Sequence, residues 1–263
     1  MKVLLHHAKS RLRFMRTYLS VKRQFLRVRL VLVWVGKPFL RIRKGHLDLD
    51  ELRNASGDMT TIVEVGANSG TDTLEMLRVF PRAKVICFEP DPRAIRAWRN
   101  TVQSTRAELR TIAISDHEGD LIFHQSDGLP PGVNPEEFPE GWHLSGSLLK
   151  PKNHSVIHEW SSFERSVQVG CETLDHALRI ETWSTDDAFP IGLIWADVQG
   201  AEGHLIRGAE QALKRTRFFY TEYSNDELYE GQLSLHKLLR MLPGFEVAKI
   251  WTNDVLLHNK LAF

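Results

Sequence analysis

A short apolar run followed at once by a glycine-bounded turn constrains this chain more than any other feature. Thr61–Val65 is apolar except for Glu64, and the next five residues run from Gly66 to Gly70. The glycine pair permits a tight turn with close backbone approach to a ligand. The residues that follow, 71–80, have a helical pattern. A strand, a glycine turn and a helix in this order predict an α/β domain that binds a nucleotide-containing cofactor.

The same alternation of strand and helix continues along the chain and indicates a mostly parallel, doubly wound, Rossmann-like sheet with helices on both faces. Strands are predicted at 61–65, 84–88, 167–169, 191–196 and 218–221, and helices at 71–80, 92–101, 202–214 and 233–241. Residues 110–114 and 120–124 are expected to form a hairpin around the polar turn 116–119. The last two candidate strands, 246–251 and 255–258, are expected to form an antiparallel edge.

Charge and spacing in the turn discriminate between two cofactors. A dinucleotide fingerprint has the form G-x-G-x-x-G, whereas this chain has Asn68 at the middle glycine position. Glu64 would repel a pyrophosphate but attract the ammonium group of S-adenosylmethionine. Glu89 follows Gly70 by nineteen residues, close to the offset at which an acid binds ribose hydroxyls. We therefore predict an S-adenosylmethionine site that includes Glu64, Gly66, Ala67, Asn68, Gly70, Glu89 and Pro90, with Asp116 at the adenine edge. A purely structural turn, with Glu89 as a surface carboxylate and Asp116 in a hairpin turn, is the alternative.

Six motifs in a fixed order resemble the FkbM family of methyltransferases. They are T-I-V-E-V-G-A-N-S-G, I-C-F-E-P-D-P, A-I-S-D-H-E-G, C-E-T-L-D, L-I-W-A-D-V-Q-G-A-E and D-V-L-L-H-N-K, spread over residues 60–260. This resemblance implies a class I methyltransferase fold that transfers a methyl group to oxygen, typically a hydroxyl of a sugar, a macrolide or another secondary metabolite. The chain departs from the family at Trp195, where many members have Lys, and at Gln199, where Glu is frequent.

Methyl transfer to a hydroxyl is an in-line displacement that benefits from a general base. Asp197 and Glu222 each end a predicted strand, at the sheet edge where α/β proteins bind ligands. We predict Asp197 as the base or the acceptor-orienting carboxylate, supported by Glu202 or Glu222, with His143 as an alternative base. Helix capping by Asp197, and stabilisation of a helix N-terminus by Glu202, would explain these residues without catalysis.

The proline-rich and glycine-rich region 125–160 interrupts the alternation of strands and helices. A loop of this length in a compact domain is usually functional, so it is the predicted acceptor-binding segment. The histidines in and beside it do not have metal-ligand spacing, and we expect no metal site. Tyr220, Tyr223 and Tyr229, with Trp142 and Trp195, could form a stacking wall for a sugar, although aromatic residues near strand ends are more often ordinary core.

The N-terminal segment differs sharply in charge from the rest of the chain. Residues 1–44 contain thirteen of the 34 basic residues and none of the 33 acidic ones. We therefore divide the chain into a basic helical arm, 1–58, and a catalytic domain, 59–263. The arm either binds an anionic membrane surface or packs its apolar stripe on the domain. Its apolar run 30–35 is too short to span a bilayer, and two cysteines do not make a disulfide framework, so we expect a cytoplasmic protein, with inner-face membrane association as an option.

Two other functions remain open on the sequence alone. A nucleic-acid methyltransferase would use the basic arm to neutralise phosphates. The acidic body and the run Asp197-Val198-Gln199-Gly200 disfavour it, because methylation of exocyclic amines uses a different motif at that position. A non-catalytic scaffold that retains the fold is the second alternative, since fold alone does not establish activity.

Overall fold

The computed structural model describes residues 27–30, 32, 34, 36, 41–183 and 190–261. Two β-sheets lie within them. The strands are β1 (Ile42–Arg43), β2 (Thr61–Val65), β3 (Lys84–Phe88), β4 (Ala107–Arg110), β5 (Ala113–Ile114), β6 (Gly119–Gly128), β7 (Ser161–Glu172), β8 (Ile191–Ala196), β9 (Thr216–Glu222), β10 (Phe245–Trp251) and β11 (Asp254–Asn259). The α-helices are Leu49–Ser56, Thr71–Val79, Pro92–Thr101, His154–Ile157, Leu174–Leu178, Glu202–Arg207, Glu210–Lys214 and Leu235–Met241, and single 3-10 turns lie at Pro135–Glu137 and Ile180–Thr182.

The central sheet has eight strands in the order β1-β10-β11-β9-β8-β2-β3-β4. Strands β4, β3, β2, β8 and β9 run parallel, and their order reverses at β2, so their carboxyl ends open on one crevice. The predicted α/β class and mostly parallel sheet are confirmed. β10 and β11 pair antiparallel as predicted, but β11 lies between β9 and β10, and the two-residue β1 forms the edge.

Apolar side chains from both faces of this sheet form the core. Ile62 and Val63 on β2 point to opposite faces because side chains alternate along a strand, and both are fully buried. β8 is buried along its whole length, as expected for a central parallel strand covered on both faces. This rigid centre holds the ends of β2 and β8 next to each other.

A second, three-stranded sheet has the order β5-β7-β6. The predicted hairpin is wrong, because β7 lies between β5 and β6 and pairs with both of them. The single strand expected at 110–114 is divided between the two sheets, at β4 and β5. Residues 125–128 extend β6, so the irregular region begins later than the sequence indicated.

The predicted helix 202–214 is two short helices that meet at Gly208 and Ala209. Gly208 packs against Ser115, the residue that follows β5. A Cβ atom on Gly208 would lie 2.0 Å from the Ser115 carbonyl oxygen. This close approach has no signature in the apolar periodicity of the segment, which continues through the break.

The described part of the N-terminal arm packs on the domain. Residues 27–30 are helical, and Val28 and Leu32 are fully buried in the larger apolar cluster. The Arg27 guanidinium forms an ion pair with Asp226 at 2.8 Å. Residues 1–26, with most of the predicted basic stripe, lie outside the described residues, and the division into 1–58 and 59–263 stays a prediction. Among the described helices, none combines the length and apolar character needed to cross a bilayer.

Candidate active site

A cavity of about 470 Å³ lies at the carboxyl ends of β2, β3 and β8. We call it the first cavity. Its volume is in the usual range of ligand pockets, roughly 300–1,000 Å³. It is lined by Gly66, Ala67, Asn68, Ser69, Thr71, Asp72, Glu89, Pro90, Ala113, Ile114, Phe123, Phe138, His143, Leu144, Gly146, Leu148, Asp197, Val198, Gln199 and Glu222. Eight of the twelve residues predicted for the site are among them.

The glycine turn is built by two close approaches that tolerate no side chain. A Cβ atom on Gly66 would lie 1.9 Å from the Asp197 carbonyl oxygen, and the φ angle of Gly66 is +90°. Gly70, at φ +85°, packs against Trp98 and Val102 rather than lining the cavity. Gly66 therefore brings β2 and β8 together at the cavity wall, whereas Gly70 seats the helix that follows.

Glu89 fixes the turn and faces the first cavity. Its two carboxylate oxygens accept hydrogen bonds from the backbone N–H groups of Asn68 and Asp91, each at 2.8 Å. Burial raises the pKa of Glu89 to about 7, although these two hydrogen bonds act in the opposite direction. A carboxylate held in this way keeps free lone pairs for a hydroxyl donor.

Three side chains at the ends of β8 and β9 form a connected polar group. The Gln199 amide nitrogen donates to Asp197 Oδ1 at 2.6 Å and lies 3.3 Å from Glu222 Oε2. Gln199 has a φ of +48°, unusual for a residue with a side chain, and the Tyr229 hydroxyl lies 3.2 Å from its amide oxygen. Backbone conformation and neighbours thus hold Gln199 between the two carboxylates.

The electrostatics of this carboxylate pair raise the pKa of both groups. Burial raises the pKa of Asp197 to about 6, and the nearby charge of Asp72 adds to the effect. The charge of Asp197 is the largest cause of a pKa for Glu222 well above its usual range. Two close carboxyl groups resist double ionisation. The pair therefore loses its second proton less readily than two separate carboxyl groups would.

Several lining residues were missed by the sequence reasoning. Asp72 places a carboxyl group on the cavity from the first turn of the helix Thr71–Val79, where its position two residues after Gly70 was the available signal. Phe123 and Leu148 reach the cavity from β6 and the irregular region, which no pattern connects to the glycine turn. Gln199 stood out in the sequence only as a departure from the family motif.

Glu64 does not line the first cavity. Its side chain is 1 % exposed and accepts hydrogen bonds from the Thr73 hydroxyl at 2.5 Å and the Cys87 thiol at 3.3 Å. Burial raises the pKa of Glu64 to about 8. Asp72, and not Glu64, is therefore among the lining residues, and the ammonium contact predicted for Glu64 stays a prediction.

Substituting Glu64 with Gln is expected to change how stability depends on pH. The folded protein keeps a proton on Glu64 up to about pH 8, while the unfolded chain releases it near the ordinary glutamate pKa of 4.5. The Glu64 contribution to the free energy of unfolding therefore falls as pH rises through this window, by at most about 1.4 kcal/mol per pH unit. Glu64→Gln should match the wild type at pH 5 and exceed it in urea unfolding at pH 8. Parallel curves for the two proteins would contradict this account.

The remaining predicted residues fall in three places. His143 lines the first cavity, and its buried Nδ1 has no hydrogen-bond partner in the described part of the chain. Glu202 lies behind Gln199 and lines a neighbouring cavity. Asp116 lies outside both cavities, where it pairs with Arg207 at 2.8 Å, an interaction that helps keep its pKa low. Asp116 is not part of the lining of the first cavity, and the adenine contact predicted for it stays a prediction.

Comparisons with known proteins identify the family of this chain. Residues 64–248 match the family model described as the methyltransferase FkbM domain. Over 204 residues the chain is 40 % identical to the 2-O-methyltransferase NoeI of Sinorhizobium fredii (strain NBRC 101917 / NGR234), a match that covers 75 % of this chain and 79 % of that protein.

Solved structures of methyltransferases are more distant. A SAM-dependent methyltransferase from Aquifex aeolicus is 9 % identical, with coverage of 81 % of this chain and 89 % of that one and a TM-score of 0.40. Precorrin-6y C5,15-methyltransferase from Geobacter metallireducens is 11 % identical, with coverage of 83 % and 93 % and a TM-score of 0.39.

The family match covers well over half of the chain, and the glycine turn and the acid that follows β3 lie within it. The chain therefore belongs to the FkbM family of methyltransferases, has the class I methyltransferase fold, and is an S-adenosylmethionine-dependent methyltransferase.

Proposed function

We propose that this protein binds S-adenosylmethionine in the first cavity and transfers its methyl group to a hydroxyl oxygen of a small-molecule or glycan acceptor. The observation that carries the proposal is the Asp197 and Glu222 pair, bridged by Gln199, on the lining of a cavity that also includes Gly66 and Glu89. The 40 % identity to a 2-O-methyltransferase supports a hydroxyl acceptor.

The residues of the first cavity fit the chemical groups of this cofactor. S-adenosylmethionine supplies a methyl group bound to a positively charged sulfur. Glu89 can accept hydrogen bonds from ribose hydroxyls, and Ile114, Phe123 and Leu148 provide an apolar surface for adenine. The carboxyl groups of Asp72 and Asp197 offset the positive charges of the sulfonium and ammonium groups.

Proton removal from the acceptor is the step in which the protein takes part directly. A hydroxyl is a weak acid, so a base must accept its proton as the oxygen attacks. We assign Asp197 as this base, because burial raises its pKa to about 6 and Gln199 orients its carboxylate through the 2.6 Å hydrogen bond. The charge of Asp197 and burial raise the pKa of Glu222 well above its usual range, and in its protonated form Glu222 can donate a hydrogen bond to an acceptor oxygen.

Incubation with methyl-labelled S-adenosylmethionine and a panel of acceptors tests the proposal. The panel contains glycosides, polyketide alcohols, amines, RNA and DNA. We expect label in the hydroxyl acceptors, in a linkage that resists mild alkali as an ether does. Label in amines or nucleic acid alone would overturn the proposal. Absence of both transfer and S-adenosylmethionine binding in calorimetry would favour a scaffold.

The rate of transfer is expected to depend on pH through Asp197. Its raised pKa of about 6 means that the base loses its charge as pH falls through that value. We therefore expect kcat/KM to rise about tenfold per pH unit below pH 6 and to level off above it. Gln199→Leu removes the hydrogen bond that lowers this pKa, so its profile should shift to higher pH. A flat profile between pH 5 and 7 would contradict the assigned role.

A further inference from the structure

A second cavity, of about 460 Å³, adjoins the first one on the side of β9. Leu144, Gln199 and Glu222 line both cavities, so they form the boundary between them. The Glu222 carboxyl group, which we propose as a hydrogen-bond donor to the acceptor oxygen, therefore has one cavity on each side. A molecule in the second cavity lies next to Glu222, on the side away from the glycine turn.

One wall of the second cavity is a continuous series of aromatic rings. Trp142 and Trp160 meet edge to face, with ring centroids 5.3 Å apart. His158 follows at 5.7 Å from Trp160, His154 at 4.8 Å from His158, and Tyr229 at 5.4 Å from His154. Each of these side chains lines the cavity. Neighbouring rings in the series are tilted by 47° to 80° to each other, so a flat ligand can stack on one ring at a time.

Polar groups are concentrated on the rest of the lining. Besides Gln199 and Glu222, the cavity is lined by Gly200, Glu202, Ser224, Asp226, Gln232, Thr252 and Asn253. Among the described lining residues there is no Lys or Arg, and Asp226 is paired with Arg27. A surface of this kind offers acceptors and donors for neutral hydroxyl groups but no cation for a phosphate.

Glu202 gives this wall a group that needs a partner. The residue is 1 % exposed, and its Oε1 accepts from the Gly200 N–H at 3.1 Å. Its Oε2 is buried and has no hydrogen-bond partner among the described residues. An unpaired buried carboxylate oxygen is costly, and a ligand hydroxyl would satisfy it.

We propose that the second cavity binds a sugar ring of the acceptor, with one face on Trp160 and its hydroxyls on Glu202 and Glu222. A pyranose has an apolar C–H face and a rim of hydroxyl groups, which matches one aromatic wall and one polar wall. This inference rests on the proposed function, because the hydroxyl that is methylated must reach Asp197 past Glu222. An apolar alcohol would leave the Glu202 oxygen unpaired, and a nucleotide would bring its phosphates against carboxylates.

Binding of simple glycosides tests this assignment without requiring turnover. The probes are the methyl α- and β-glycosides of glucose, galactose, mannose, fucose and N-acetylglucosamine, added to full-length protein saturated with S-adenosylhomocysteine. Saturation-transfer NMR should show contact to the ring C–H protons of at least one probe. Trp160→Leu should weaken the binding of that probe about tenfold, because the stacking area is lost. Glu202→Gln should weaken it by a similar factor through the lost charged hydrogen bond.

Both substitutions have features that preserve the fold. Trp160 is only partly buried, so its replacement removes little of the core. In Glu202→Gln the new side-chain amide keeps an oxygen that can still accept from the Gly200 N–H.

Trp183→Leu is the matched control, since Trp183 lies outside both cavities and donates to the Leu178 carbonyl at 2.9 Å. It should bind the probe as the wild type does. The inference is overturned if no glycoside of the panel binds, or if Trp160→Leu and Glu202→Gln bind as the control does. Failure of S-adenosylhomocysteine itself to bind would instead refute the proposed function, so the two outcomes are distinguishable.

Discussion

Replacing Asp197 with Asn is expected to lower kcat by about 10²- to 10⁴-fold, the usual effect of removing a general base. The amide is nearly isosteric and keeps an oxygen for Gln199, so the β8 end should retain its geometry. The KM for S-adenosylmethionine should change far less than kcat, because Glu89 and the glycine turn remain. Single-turnover transfer of labelled methyl measures this effect directly.

Asp116→Asn is the matched control for the loss of one carboxylate. Asp116 is bound to Arg207 and lies outside the first cavity, so kcat and the KM for S-adenosylmethionine should both stay at the wild-type values. A near wild-type rate for Asp197→Asn, with cofactor binding intact, would refute the assignment of Asp197. A large rise in the cofactor KM of Asp116→Asn would support the adenine contact predicted from the sequence.

Gly66→Ala is expected to abolish measurable binding of S-adenosylmethionine and to destabilise the protein. The new Cβ atom would meet the Asp197 carbonyl oxygen at 1.9 Å, and both partners are backbone positions of packed strands. Relief requires β2 and β8 to separate at the wall that carries Asp197. Calorimetry measures the binding, and urea unfolding measures the stability.

Gly57→Ala is the control that separates two costs in stability at Gly66. One comes from the backbone conformation, and the other comes from the clash of the new Cβ atom with the Asp197 carbonyl oxygen. Gly57 has a similar φ of +81°, but a Cβ atom there would meet nothing within 4 Å. This control should lose about 1–3 kcal/mol of stability from strain alone and bind the cofactor normally. Equal stability losses and equal affinities for the two variants would show that the close approach at Gly66 is unimportant.

Local patterns predicted the central sheet well because each pattern reflects one physical requirement. Thr61–Val65, Lys84–Phe88 and Ile191–Ala196 are predominantly apolar runs, as expected for strands buried on both faces, and their bounds agree with the structure. The helix Pro92–Thr101 begins at a proline after Asp91, whose side chain caps it. Burial and capping are local, so the sequence shows them directly.

Long-range pairing was the source of the errors in the fold. β7 separates β5 from β6, a placement that depends on segments roughly fifty residues apart. A hairpin and a three-stranded sheet have the same alternation in each strand, so the pattern cannot distinguish them. The position of β11 inside the sheet rather than at its edge likewise depends on pairing with β9.

At the candidate site, the sequence predicted which residues lie at strand ends, but it did not predict where their side chains point. Glu89, Asp197 and Glu222 all lie on the first cavity because carboxyl ends of parallel strands meet at one crevice. Glu64 is on the same strand as the turn but points into the core toward Thr73. The bridging position of Gln199 depends on its φ of +48°, which residue type does not indicate.

A crystal structure with S-adenosylhomocysteine tests the central claim most directly. We predict the ligand in the first cavity, with ribose hydroxyls within hydrogen-bond distance of Glu89 and the sulfur facing Asp197 and Glu222. Ligand density elsewhere, or a ribose that does not contact Glu89, would contradict the account.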